Sequence, residues 1–100
     1  MRVKMNRNAA KELKKMLESE GAEEKMLRVY VTERHGGHAH YALVFDTPNE
    51  HDEVVETDKG IDLLLDSREE FLDGIWIQYF YVGQEGFVIT NPFMDTDSHH

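Results

Sequence analysis

Apolar and polar residues alternate with period two over most of this chain, and with a helical period over one stretch near its start. Val3 and Met5 alternate with Arg2 and Lys4, which predicts a short edge strand. Ala10, Leu13, Met16 and Leu17 then form a stripe at helical spacing. This predicts a helix over residues 9–20, capped by Asn6 or Asn8 and ended by Gly21. Leu27, Val29 and Val31 alternate with Arg28, Tyr30 and Thr32, and Tyr41, Leu43 and Phe45 resume the pattern. Two such strands form a hairpin around His35-Gly-Gly-His-Ala-His40, whose adjacent glycines permit the turn.

Residues 47–53 read as a polar loop and Val54-Val55-Glu56 as a short strand. After the turn residues Asp58-Lys59-Gly60, Ile61, Leu63 and Leu65 share one strand face, with Asp62 and Asp66 opposite. Ser67, with Glu70 three positions on, has the form of a capping box for a short helix over residues 68–73 that stops at Gly74. The next strand places Ile75, Ile77, Tyr79 and Tyr81 on one face and Trp76, Gln78, Phe80 and Val82 on the other. A strand apolar on both faces needs cover on both sides, from its own domain or from a second subunit. Gly83-Gln-Glu-Gly86 leads into a last strand over residues 87–90, which Pro92 ends.

Strand, helix, then five or six strands with one small helix among them predict an α+β domain. In it, mostly antiparallel strands curl over the N-terminal helix. Residues 1–94 form the domain, and the polar residues 95–100 are expected to be a flexible tail.

One hundred residues with 40% hydrophobic and 31% charged content suit one globular domain. No apolar run approaches the roughly 20 residues of a membrane helix, and the start shows no signal-peptide core. A cytoplasmic location without a membrane partner is therefore the expectation. The net charge of −9 is uneven: Arg2, Lys4, Arg7, Lys11, Lys14 and Lys15 face only Glu12 in the first fifteen residues, and the rest is strongly acidic. An acidic body argues against nucleic acid as partner. The basic start reads as a solvated helix face attracted to the acidic sheet. There is no cysteine, which rules out disulfides and thiolate chemistry in these residues.

A series of short motifs resembles the HesB/IscA-like A-type iron–sulfur carriers in order and spacing. They are Asn8-Ala-Ala, Leu27-Arg-Val, Tyr41 with Leu43 and Phe45, Asp58-Lys-Gly, Phe71-Leu-Asp-Gly74, Tyr79, Gly86-Phe87 and Thr90-Asn-Pro92. The resemblance implies a compact β-rich fold, frequent assembly into dimers or tetramers, and partners among proteins of iron–sulfur or sulfur metabolism. Family members carry one cysteine in the hairpin and a Cys-x-Cys near the C-terminus. Those positions fall here at about Gly36, Ser98 and His100. The resemblance thus marks a cysteine-free offshoot, in which a conventional iron–sulfur cluster is not expected.

Histidines stand near the vacated positions. His35, His38 and His40 read H-x-x-H-x-H, and a strand starting at His38 turns His38 and His40 to one face, with His35 folding back over the turn. Three imidazoles so placed suit a single iron or zinc ion, or nickel. The alternative is an exposed polar loop. His99 and His100 lie where the tail ligands would be. The acidic residues Glu50, Asp52 and Glu53 around His51 lack the spacing of a calcium loop and read as solvated.

No nucleophile triad, phosphate-cradling loop or nucleophile elbow is present, so an enzyme is not expected. Two main functions remain. One is a non-catalytic binding or interaction module of iron–sulfur or sulfur metabolism, a homodimer or partner contact being supported by the apolar strand over residues 75–82. The other is mononuclear iron or zinc binding through His35, His38 and His40. A hydrolytic metal site on the same histidines would need a base such as Glu33.

Overall fold

The computed structural model describes residues 1–19, 25–83 and 85–94. Within them the order is β1 (Val3–Met5), α1 (Arg7–Ser19), β2 (Met26–His35), β3 (His38–Asp46), β4 (Asp52–Glu56), β5 (Asp62–Asp66), a 3₁₀ turn (Glu70–Leu72), β6 (Ile75–Phe80) and β7 (Gly86–Thr90). The strands make two mixed sheets. One has the order β1-β6-β7, the other β3-β2-β5-β4. Pairs β2–β3, β4–β5 and β6–β7 are antiparallel, while β1–β6 and β2–β5 are parallel. This is the α+β architecture that the alternation of periods implied, with β1 at a sheet edge.

Helix α1 starts earlier than its apolar stripe, and Asn6 explains why. Its Oδ1 accepts the Ala9 amide at 2.8 Å, capping the helix, and also the Tyr79 amide at 3.2 Å. One side chain therefore fixes the helix start against β6. The two small residues Ala9 and Ala10 are buried beside Leu13, letting the helix lie close on the sheet. The expected stop, Gly21, lies outside the described residues, as does the expected tail with Ser98, His99 and His100.

The core joins Leu13, Leu27, Val29, Ile61, Leu63, Leu65, Leu72, Ile75 and Ile77, all essentially without solvent access. Leu27, Val29, Leu63 and Leu65 are the inward faces that alternation assigned. Leu64 is also fully buried, although it lies on the opposite face, between Arg28 and Val54 on the neighbouring strands.

The short helix departs from its predicted form. Only residues 70–72 are helical, and Glu69 rather than Ser67 caps them, accepting the Phe71 amide. Ser67 is engaged elsewhere: its hydroxyl donates to the His51 carbonyl at 2.8 Å. Asp66 accepts the Arg68 amide at 2.9 Å, so the chain turns before it coils.

Strand β6 has only one covered face. Ile75 and Ile77 are buried towards the core, whereas Trp76 and Phe80 are 38% and 39% exposed. Gln78 pairs with Val88 and Trp76 with Thr90, so Trp76, Phe80 and the exposed Val88 share one open sheet face. Among the described residues, nothing supplies the second cover that the sequence pattern asks for. No helix among the described residues is long and apolar enough to cross a membrane.

Candidate functional site

The β2–β3 hairpin is longer than the polarity of its tip suggests. Backbone pairing continues outward to His35 opposite His38, leaving only Gly36 and Gly37 as the loop. Gly36 has φ +62°, the positive φ that the first central residue of a two-residue hairpin turn requires. The resemblance places the family's first cysteine at about this position. A side chain there would meet nothing within 4 Å, so backbone conformation rather than space disfavours a non-glycine residue.

A β-bulge sets which residues meet. Val31 pairs with Tyr41, but the next pair is Glu33 with His40, so Thr32 is the extra residue. Unbroken alternation would place Glu33 and His35 with Leu27 and Val29 on the inward face. The bulge turns them to the outer face with His38 and His40. There, ligand atoms of Glu33, His35 and His40 all lie within 4.8 Å of one another, and all three residues are exposed. The His35 Nε2 stands 3.4 Å from the Glu33 Oε2. The His35 and His40 rings meet edge to face at 5.9 Å between centroids.

Two of the three expected histidines are thus brought together, and a carboxylate takes the third place. His38 pairs with His35 across the turn and lines a neighbouring hollow with Tyr41, Ile89, Asn91 and Met94. Glu33 carried no ligand signal in the sequence, because nothing in it marks the bulge at Thr32.

The donor set decides what this site can hold. Thiolates are the ordinary ligands of iron–sulfur clusters, and these 100 residues contain none. The hairpin therefore does not fit a thiolate-held cluster. Two imidazoles and a carboxylate fit a single divalent transition-metal ion instead.

The shared motifs have structural employment away from the hairpin tip. In Leu27-Arg-Val, Arg28 forks onto Asp52, Nη1 to Oδ1 at 2.5 Å and Nη2 to Oδ2 at 2.7 Å, while its Nε donates to Asp46 at 2.9 Å. The Asp52 side chain is 1% exposed and that of Arg28 11%. The acidic stretch beside His51 is therefore not wholly solvated, and Asp52 is the buried half of an ion pair. The Arg28 hydrogen bonds hold the Asp52 carboxyl below its ordinary value against the opposing effect of burial, and Asp52 in turn raises Arg28.

In Thr90-Asn-Pro92, the buried Asn91 donates to the carbonyls of Phe71 and Asp73 at 2.7 and 2.9 Å. Its own carbonyl accepts the amides of Phe93 and Met94. The Tyr41 hydroxyl donates to the same Phe71 carbonyl at 2.9 Å. Gly74, at φ +97°, lies so close beneath Phe93 that a Cβ there would stand 2.6 Å from the ring. Tyr41, Phe71, Gly74 and Asn91, scattered along the sequence, are thus one knot joining the hairpin, the 3₁₀ turn and the end of β7.

No family model matches the chain. Individual relatives do. The iron–sulfur cluster insertion protein ErpA of Hahella chejuensis is 41% identical over 93 residues, covering 89% of this chain and 78% of that protein. ErpA of Francisella philomiragia is 34% identical over 93 residues, covering 90% and 79%. ErpA of Francisella tularensis subsp. novicida is 37% identical over 87 residues, covering 84% and 74%. Identity at this level over nearly the whole chain agrees with the motif order and with the knot that those motifs build. This chain belongs to the A-type carrier family of iron–sulfur cluster biosynthesis, represented by the ErpA insertion proteins.

Proposed function

We propose that this family member acts as a non-catalytic interaction module of iron–sulfur or sulfur metabolism, and that it does not carry a cluster on cysteine thiolates. The observation that carries this reading is the open face of β6 and β7. Trp76, Phe80 and Val88 stand exposed around Gln78 on one sheet face whose other face is core. Exposed aromatic side chains grouped in this way are typical of protein contacts. The donor set supports the second half of the reading, since no thiolate is at hand.

The partner to test is a cysteine-bearing insertion protein of the same cell, because the family assembles as dimers or tetramers and this chain shares its frame. Sedimentation velocity of the protein, alone and mixed with that carrier, should show a dimer or a mixed complex. Trp76→Ser/Phe80→Ser should abolish it while leaving the circular dichroism unchanged. A strict monomer that binds no such carrier, with the double variant indistinguishable from it, would contradict the reading.

A second reading, mononuclear iron or zinc binding through His35, His38 and His40, gains support from the meeting of His35 and His40 on one sheet face. It requires no thiolate and is compatible with a protein contact on the other sheet.

A further inference from the structure

We infer that Glu33, His35 and His40 form a two-histidine, one-carboxylate site for a divalent transition-metal ion, assembled by the bulge at Thr32. This differs from a three-histidine site in one ligand. It does not depend on the protein contact proposed for the opposite sheet.

Geometry supports the assignment first. An ion about 2.1 Å from each donor in tetrahedral coordination separates its ligand atoms by about 3.4 Å. Glu33 Oε2 and His35 Nε2 already stand at 3.4 Å, and the His40 donor completes a group spanning no more than 4.8 Å. All three side chains are exposed, so solvent rather than packing surrounds the bonds whose rotation would close the remaining gap.

Backbone support comes second. Glu33 and His40 are directly paired across two hydrogen-bonded strands, and His35 is two residues from Glu33 on the same face. Ligands on paired strands are better placed than ligands on a free loop, and binding spends little ordering entropy. The Gly36-Gly37 turn is short, which keeps His35 above the pair.

Third, the bulge has consequences on both faces of the hairpin. It removes Glu33 and His35 from the inward face and leaves Arg34 there, where the guanidinium pairs with Glu69 and lies 5.7 Å from the centre of the Phe71 ring. One inserted residue thus places a cation against the 3₁₀ turn and gathers three metal-ligating groups on the other side. Bulges commonly redirect side chains beside functional sites.

Ligand chemistry narrows the ion. Two neutral imidazoles and one carboxylate suit Zn²⁺ and Fe²⁺, with Zn²⁺ bound more tightly by the general order of stability. Three protein ligands leave at least one coordination position to water or to a donor from another molecule.

The test is isothermal titration of the full chain with Zn²⁺, and with Fe²⁺ under anaerobic conditions. Glu33→Gln, His35→Ala, His38→Ala, His40→Ala and His99→Ala/His100→Ala variants are titrated alongside. One Zn²⁺ per chain is expected, with a dissociation constant of about 10 µM or tighter. Glu33→Gln, His35→Ala and His40→Ala should each weaken it at least about tenfold. His38→Ala and the terminal double variant should stay within about threefold.

If His38→Ala abolishes binding and Glu33→Gln does not, the three-histidine set replaces the one inferred here. If only the terminal variant loses the ion, the hairpin is not the site. No uptake below about 100 µM overturns both metal readings. None of these results touches the protein-contact reading, which the Trp76 and Phe80 variant tests separately.

Discussion

Replacing Asp52 with Ala should destabilise the protein by about 3 kcal/mol, read as a lowered urea midpoint with an unchanged slope. Asp52 is the best-buried carboxylate in the Arg28 ion-pair group, and it accepts both ends of the guanidinium fork. It also accepts the Asn49 amide at 2.7 Å, so its loss frees the loop leading into β4. Removing one partner from a buried pair ordinarily costs about 3–5 kcal/mol, because the other charge is left without compensation. Asp46 and the Thr47 carbonyl still face Arg28, which places the expectation at the lower end. A loss below about 0.5 kcal/mol would mean that the pair contributes nothing net.

The same pair predicts acid sensitivity. Asp52 is held below its ordinary carboxylate value in the folded protein, as are Asp46, through the Thr47 amide and then Arg28, and Asp66 beside Arg68. A depressed folded pKa contributes stability that is complete above the unfolded value, near 4, and is lost as pH falls through the folded value. Stability should therefore decline progressively from about pH 5 downward. Asp52→Asn should be less stable at pH 7 and flatter with pH below 5. A variant as steeply acid-sensitive as the parent would remove Asp52 from the account.

Asn91→Ala should cost about 2–3 kcal/mol by the same measurement. The side chain satisfies two carbonyls and two amides at once, in a buried position that gives water little access. Leaving buried backbone groups unpaired costs about 1–3 kcal/mol each. The Phe71 carbonyl keeps its bond from Tyr41, so the full sum is not expected. The truncation also releases Phe93 from its seat over Gly74, where the Arg2 guanidinium lies 4.6 Å from the ring centre. Asn91→Ala should thus loosen the β1 edge as well as the end of β7, visible as faster amide exchange at Gly74, which donates to the Arg2 carbonyl. Unchanged exchange there, with stability within about 0.5 kcal/mol of the parent, would mean that the knot is not cooperative.

The family frame was legible because its elements bury regular patterns. Leu27, Val29, Leu63 and Leu65 follow period two, and Ala10 and Leu13 follow the helical period, each as solvent exclusion requires. The motif order carries the family resemblance independently of any contact. The site was less legible. Residues 35–40 interrupt the alternation and read as a turn, since extended pairing at a hairpin tip leaves no apolar signature.

A bulge has no residue code of its own, so Glu33 and His35 could not be assigned a face from alternation. Asp52 was hidden for a different reason. Its flanking residues Glu50, His51 and Glu53 are all polar, and only the fold brings Arg28 from β2 over it. Ser67 carried the right type and spacing for a cap, but a competing acceptor, the His51 carbonyl, took its hydroxyl.

The central claim is that the frame of an iron–sulfur carrier is retained here without the means to hold a cluster on thiolates. Anaerobic reconstitution of the full chain with ferrous iron and sulfide, followed by desalting, tests it most directly. Visible absorption and Mössbauer spectra would be recorded beside those of a cysteine-bearing insertion protein treated identically. The account predicts no sulfide-bridged iron in this protein, with iron retained, if at all, as a mononuclear high-spin Fe²⁺ species that Glu33→Gln weakens. A stoichiometric, sulfide-containing cluster that survives desalting and passes to an apo-acceptor would contradict it.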